Sequence, residues 1–249
     1  MIDIHTHILP GIDDGSDSME TSLEMLAIAA ECGVEALVAT PHCNIPGSYE
    51  NYQSHELESL WERLKANAMH EEIPIRLYRG MEIFATQELP ELLSRGRVWT
   101  INHTKYFLTE FAFDEDPAFC WDILQQCRSR GFRPIIAHPE RYFFIQEEPE
   151  IAYEYCRAGY GLQLNKGSFQ GRFGRQARIT AELLTEHGLA ACVASDAHST
   201  HQRTTHMEEI RDYLTQVYDE RYTHLLLEEN PRRILFGREL LGFEPIPFR

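Results

Sequence analysis

The chain opens Met1-Ile2-Asp3-Ile4-His5-Thr6-His7-Ile8-Leu9-Pro10-Gly11-Ile12-Asp13-Asp14-Gly15, and this stretch decides how the rest is read. Ile2–His5 is an apolar, β-branched run suited to a strand. Residues two apart on a strand point to the same side, so the imidazoles of His5 and His7 can reach one metal ion. Asp13 and Asp14, before Gly15, read by themselves as a turn with helix-capping acids.

Further strand candidates follow at Ala36–Ala39, Ile75–Arg79, Tyr106–Glu110, Pro134–Ala137, Gly161–Leu164 and Ala191–Ala194. Between them lie helix candidates, among them Ser18–Glu31, Ser54–Met69, Ala118–Ser129, Gln176–Glu186 and Met207–Tyr218. Gly33, Gly131, Gly159 and Gly188 sit where helix C-caps belong. Asn230–Gly237 reads as a last short helix capped by Asn230, with Pro231 at its first position. Strands separated by helices imply parallel βαβ units, hence an α/β fold in a single domain, 1–249.

Metal-type side chains gather where these strands end. The run Ile2–His5 leads to His7, Ala36–Ala39 to His42, Ile75–Arg79 to Glu82, and Tyr106–Leu108 to Glu110. Pro134–Ala137 leads to His138, and Ala191–Ala194 to Asp196 and His198. In a βα barrel the C-terminal strand ends share the face where active sites are built. A glutamate closing the apolar run Tyr-Phe-Leu-Thr-Glu needs a partner if buried, and a metal is an adequate one. Histidine and carboxylate without thiolate suit Zn²⁺, Mn²⁺ or Fe²⁺, and so many ligands suggest two or three ions.

Composition narrows the partners. With 23 basic and 39 acidic residues the formal net charge is −16, which opposes non-specific binding to nucleic acid or to anionic membranes. No apolar run reaches the ~18 residues of a spanning helix, and the start lacks a secretory signal, so a cytoplasmic protein is expected. The six cysteines are scattered without C-x-x-C pairs, as free thiols in a reducing compartment are.

Together the segments 1–15, 39–42 (ATPH), 80–84 (GMEIF), 108–111 (LTEF), 136–142 (IAHPERY), 195–198 (SDAH) and 229–235 (ENPRRIL) resemble the PHP-family bacterial tyrosine-protein phosphatases of capsule and exopolysaccharide control. The resemblance implies a single PHP domain, a distorted seven-stranded βα barrel. It implies three divalent metal ions, Mn²⁺ first, with Fe²⁺ or Zn²⁺ as alternatives. By motif these would be held by His5, His7, Glu82 and Asp196; by Glu82, Glu110 and His138, with Glu82 bridging; and by Asp14, His42 and His198. Asp14 is preferred to Asp13 by the family pattern alone. Arg141 and Arg203 become the phosphate-binding arginines. The implied substrate is a phosphotyrosine protein, the tail of a bacterial tyrosine autokinase, attacked by a metal-bridging hydroxide. Four ligand carboxylates against three divalent ions and a hydroxide leave a local charge of about +1, so an acidic protein can still attract phosphate.

The chain departs from the pattern at Cys43 after His42, where another His or Arg is frequent, and at Thr204-Thr205 after Arg203, where Pro is frequent. Lys166, Arg172 and Arg175 either help hold an anionic peptide or form a solvated basic loop. Other readings are a histidinol-phosphate phosphatase, a nucleotide-directed phosphoesterase, and a regulatory module that binds phosphotyrosine without cleaving it. Cys127 and Arg133 match the C-x5-R pattern of cysteine phosphatases, but Arg128 and Arg130 are bulky for a phosphate cradle, and the motif runs from helix to strand instead of strand to helix.

Overall fold

The computed structural model describes residues 1–242 and 245–248. In chain order its strands and helices are β1 (Ile2–Thr6), α1 (Met19–Glu31), β2 (Ala36–Ala39), β3 (His42–Cys43), α2 (His55–His70), β4 (Arg76–Arg79), β5 (Glu82–Phe84), α3 (Leu89–Ser94), β6 (Tyr106–Glu110), α4 (Pro117–Ser129) and β7 (Arg133–Ala137). Then follow α5 (Phe143–Glu147), α6 (Glu150–Arg157), β8 (Gly161–Asn165), α7 (Lys166–Phe169), α8 (Arg175–Glu186), β9 (Cys192–Ala194), α9 (Glu208–Val217), α10 (Glu220–His224) and α11 (Asn230–Leu235).

The helices start where local chemistry allows. Ser18 and Ser54 accept hydrogen bonds from Thr21 N and Leu57 N, and Asp116 accepts one from Ala118 N ahead of Pro117. Gly33, Gly131, Gly159 and Gly188 all take the positive φ expected of C-terminal caps. The expected cap at Asn230 is not formed. Its side chain instead donates to the carbonyls of Ala191 and Leu241 and accepts from Leu241 N, because the preceding helical turn runs straight into α11.

Every described strand pairing is parallel. One sheet has the order β1-β2-β4, the other β3-β5-β6-β7-β8-β9. The seven expected strand positions are recovered, but two are split, which corrects the expected count to nine among the described residues. After β2 the chain resumes as β3 beyond Thr40 and Pro41; after β4 it resumes as β5 beyond Gly80 and Met81. Pro41 lacks an N–H for a ladder, yet its carbonyl accepts from Glu82 N, so the two breaks lie side by side. β1 also meets the end of β9, where Asp196 N donates to His5 O and His7 N to Ala197 O.

Strand side chains alternate between two cores. Ala36, Val38, Tyr106, Leu108, Ile135, Ala137, Cys192 and Ala194 pack with Ile234 and Leu235 of α11 in an inner cluster. Leu37, Phe107, Ile136, Leu162 and Val193 face the helices with Met25, Leu26, Trp61 and Leu64. His42, Glu82 and Asp196 continue the inner-facing parity beyond β2, β4 and β9, and Glu110 keeps it as the last residue of β6. In β1 the parity changes. Asp3 pairs with Leu37 but Thr6 with Ala39, so β1 carries one extra residue. With that bulge Ile2 and Ile4 join the inner cluster, and His5 and His7 reach the same side.

Candidate metal centre

Nine side chains converge at the C-terminal ends of the strands: His5, His7, Asp14, His42, Glu82, Glu110, His138, Asp196 and His198. All are buried or nearly so except Asp14, which is half exposed. The Nε2 atoms of His5 and His7 lie 3.2 Å apart, and Glu82 Oε2 is 3.2 Å from each. Asp196 Oδ1 is 3.5 Å from both nitrogens. These spacings match the edges of a coordination shell whose metal–ligand bonds are about 2.1 Å.

Glu82 lies at the centre of the cluster. Its Oε2 is 3.1 Å from His42 Nδ1, and its Oε1 is 2.8 Å from His138 Nε2. The strand pairing places it directly beside His42. His42 Nδ1 is also 2.9 Å from Glu110 Oε1, and His138 Nε2 is 3.8 Å from Glu110 Oε2. On the outer side, Asp14 Oδ1 lies 3.4 Å from both His42 Nε2 and His198 Nε2. Three overlapping groups have donor atoms close enough to share an ion: His7, Asp14, His42 and His198; His5, His7 and Asp196; and His42, Glu82 and Glu110. All nine residues expected from sequence lie in one cluster, but these groups differ from the expected sets: His7 joins Asp14, His42 and His198, His42 joins Glu82 and Glu110, and Glu82 meets His5, His7 and His138 only through the pairwise contacts above.

The donor set fits divalent metal. His42 Nδ1, Glu110 Oε1 and His198 Nε2 are buried without a hydrogen-bond partner, although each has an oxygen or nitrogen of the cluster within 3.4 Å. Buried polar atoms left without a hydrogen-bond partner are costly, and a divalent cation shared with the neighbouring donors would satisfy them.

The electrostatics follow from the crowding. Burial alone would raise the pKa of Glu82 and Asp196, but His5 and the neighbouring imidazoles hold both well below the usual carboxylate range, helped at Asp196 by Arg203. Burial works against the His7 imidazolium, yet Asp13 and the cluster carboxylates lift its pKa well above 6.5. His198, buried and beside His7, is pushed down to about 4.

Backbone geometry is specialised here as well. His138 and Asp196 have φ of 37° and 50°, in the left-handed region that costs a non-glycine residue roughly 1–3 kcal/mol. Gly15 lies against His7 so closely that a Cβ would stand 2.2 Å from the His7 carbonyl oxygen, and no other residue fits.

Three residues orient the donors: Asp13, read from sequence only as a turn residue, and Gln163 and Asn165, which were not singled out. Asp13 Oδ2 accepts from His7 Nδ1 at 2.9 Å and from the His42 amide at 3.0 Å. Gln163 Oε1 lies 2.7 Å from His5 Nδ1, Gln163 Nε2 donates to Asn165 Oδ1, and Asn165 Nδ2 donates to Asp196 Oδ2 at 2.5 Å. Two amides at alternate positions of the apolar strand Gly-Leu-Gln-Leu-Asn were the available signal, since buried polar groups need partners.

The two arginines stand at the rim. Arg203 Nη2 is 2.5 Å from Asp196 Oδ2, and Arg141 Nη1 is 3.8 Å from the same oxygen. Lys166 is not part of a solvated or substrate-holding loop. It is buried, and its ammonium donates to the carbonyls of Thr204 and His206, one and three residues after Arg203. Arg172 and Arg175 are exposed. Cys127 is buried on α4 with its thiol pushed up to about 12 by burial, and Arg133 stacks on Tyr106 at 5.5 Å, so the C-x5-R match forms no phosphate cradle. Cys43 is likewise buried, its thiol also raised to about 12.

Parallel strands that end in a thiolate-free cluster of imidazoles and carboxylates, rimmed by arginines, define a metal-dependent hydrolase. The chain belongs to the family described as capsular polysaccharide synthesis, CpsB/CapC, whose sequence profile matches residues 1–236. It is 34% identical over 249 residues to the tyrosine-protein phosphatase YwqE of Bacillus subtilis (strain 168), covering 100% of this chain and 97% of that protein. It is 30% identical over 244 residues to the tyrosine-protein phosphatase CpsB of Streptococcus pneumoniae, covering 96% and 99%. A crystal structure from work on YwqE and CpsB, themselves metal-dependent tyrosine phosphatases, superposes with a TM-score of 0.93 at 33% identity, covering 100% of both chains. Among the described residues no helix is long and apolar enough to cross a membrane.

Proposed function

We propose that this chain is a metal-dependent protein-tyrosine phosphatase acting in the cytoplasm on a tyrosine-phosphorylated protein, the tail of a bacterial tyrosine autokinase, in capsule or exopolysaccharide regulation. It is a phosphoric monoester hydrolase. The observation that carries this reading is the buried cluster of nine donors with two arginines at its rim, in a chain similar over its full length to YwqE. The contacts between β1 and the end of β9 support closure of the two sheets into one distorted βα barrel.

The nine donors would hold three divalent ions, Mn²⁺ first, with Glu82, which touches four of the imidazoles, as the expected bridging ligand. Bound there, they would supply the activated water for direct attack at phosphorus and charge for the phosphoryl oxygens. The chain's own residues do the rest. Gln163 and Asp13 hold His5 and His7 in the tautomer that leaves Nε2 free for metal. Arg141 and Arg203 neutralise phosphoryl oxygens as charge develops. The leaving phenol has a pKa near ~10, so it needs less protonation than an alkyl alcohol.

The test is turnover of a phosphotyrosine peptide against histidinol phosphate, by chelated enzyme and after addition of Mn²⁺. Chelation should abolish activity, Mn²⁺ should restore it, and the peptide should be preferred. Full activity in metal-free protein would overturn the metal assignment; preference for histidinol phosphate would overturn the substrate.

A further inference from the structure

Beside the metal centre, on the far side of Arg141, lies a cavity of about 500 Å³ that none of the nine donor residues lines. Its walls include Phe113, Arg141, Phe143, Gln146, Phe173 and Arg175. Phe143 is 54% exposed and Phe113 38%, an unusual display of aromatic surface beside a polar cluster. The Arg141 guanidinium lies over the rings of Phe113, at 4.5 Å, and Phe173, at 4.2 Å. Arg141 Nη1 is 3.8 Å from Asp196 Oδ2 and the same side chain lines the cavity, so the cavity and the proposed phosphoryl site share a residue. Phe143 N donates to Phe113 O, which ties the two loops that frame the opening.

The charge is also out of keeping with the chain. The protein carries 39 acidic residues, yet this cavity is lined by two arginines and no carboxylate. Aromatic walls with two cations suit an aromatic side chain on an acidic segment. A phosphotyrosine held by the donors and Arg141 leaves its neighbouring residues one side chain away, and an extended peptide advances about 3.3 Å per residue.

We propose that this cavity is a peptide subsite that takes an aromatic side chain lying within two residues of the phosphotyrosine, carried on an acidic segment. The proposal rests on the phosphotyrosine reading above and adds the sequence around the phosphotyrosine to it. It makes the cavity a determinant of which tyrosine is dephosphorylated, separate from the donors that hold the phosphoryl group.

The experiment compares acidic phosphotyrosine peptides that differ only in Phe or Ala beside the phosphotyrosine, with Mn²⁺-loaded wild type, Phe143→Ala and Arg175→Glu. Wild type should favour the Phe peptide by about 10-fold in kcat/KM, as burial of one aromatic side chain allows. Phe143→Ala should bring that ratio toward 1. Arg175→Glu should weaken both acidic peptides relative to a neutral one, and since both side chains are exposed, circular dichroism should show intact folds. Equal use of the two peptides by wild type, or an unchanged ratio in Phe143→Ala, overturns the subsite alone. A parallel loss on free phosphotyrosine would assign the cavity to the tyrosyl ring and also overturn it. No turnover of either peptide removes the phosphotyrosine reading, and the subsite with it.

Discussion

The Nε2 atoms of His5 and His7 stand 3.2 Å apart, each turned there by an acceptor on its other ring nitrogen, Gln163 Oε1 at 2.7 Å and Asp13 Oδ2 at 2.9 Å. Partners of this kind fix tautomer and ring orientation, and their loss costs about 10–100-fold in metal affinity. Gln163→Leu and Asp13→Ala should each weaken Mn²⁺ binding by that factor, measured by competition with a chelator. Wild-type affinity in both variants would show that the histidines are held by the backbone alone.

Glu82 touches His5, His7, His42 and His138, more imidazoles than any other carboxylate of the cluster. Glu82→Ala should therefore be among the most damaging single changes, removing activity and lowering metal content by more than one ion per chain. Elemental analysis of the purified variant decides this. A normal metal count with a normal rate would sink the bridging role.

Arg141 and Arg203 both face Asp196 Oδ2 from the rim. Guanidinium can hold two phosphate oxygens at once, whereas lysine offers a point charge. Either Arg→Lys change should lower kcat/KM about 10-fold or more while metal content stays the same, since charge-assisted bonds of roughly 1.5–3 kcal/mol are involved. Unchanged kinetics on the preferred substrate would remove the clamp.

Stability should depend on pH in opposite ways with and without metal. In metal-free protein His5, His7 and His42 have pKa values raised above 6.5, because cluster carboxylates outweigh burial. A raised histidine contributes stability that is complete below about 6.5 and lost as pH climbs through the folded value. His198, depressed to about 4 by burial, acts the other way and adds stability as pH rises from about 4 to 6.5. The chelated protein should thus have its highest Tm near pH 6.5 and decline above it. Metal requires neutral imidazole, so the Mn²⁺-loaded protein should gain over the same upper range, and the gap between the two should widen. Thermal melts with and without chelator from pH 5 to 8 test this. A chelated protein whose Tm climbs steadily from 6.5 to 8 would contradict the proposed charge state.

The local order of the chain was legible from sequence because it rests on short-range physics. Apolar runs of strand length, serine and aspartate caps, and glycines ending helices α1, α4, α6 and α8 are each decided within a few residues. The convergence of donor types was legible too: each histidine or glutamate closing an apolar strand could pass alone as a surface or satisfied core residue, but a buried carboxylate needs a partner, and six strand ends carried such residues. Three things were decided only in the tertiary structure. The extra residue in β1 turns His5 and His7 to the side already faced by Ile2 and Ile4, and a bulge is set by pairing with β2, which no local pattern records. The burial of Lys166 on the carbonyls of Thr204 and His206 depends on a loop 38 residues further along the chain. The orienting roles of Gln163 and Asn165 exist because strands distant in sequence lie side by side, and Asp13 reaches His7 only through the fold of the loop between them. Spacing along a chain sets which chemical groups are available near one another, whereas the direction of a lone pair depends on which strand packs next to which.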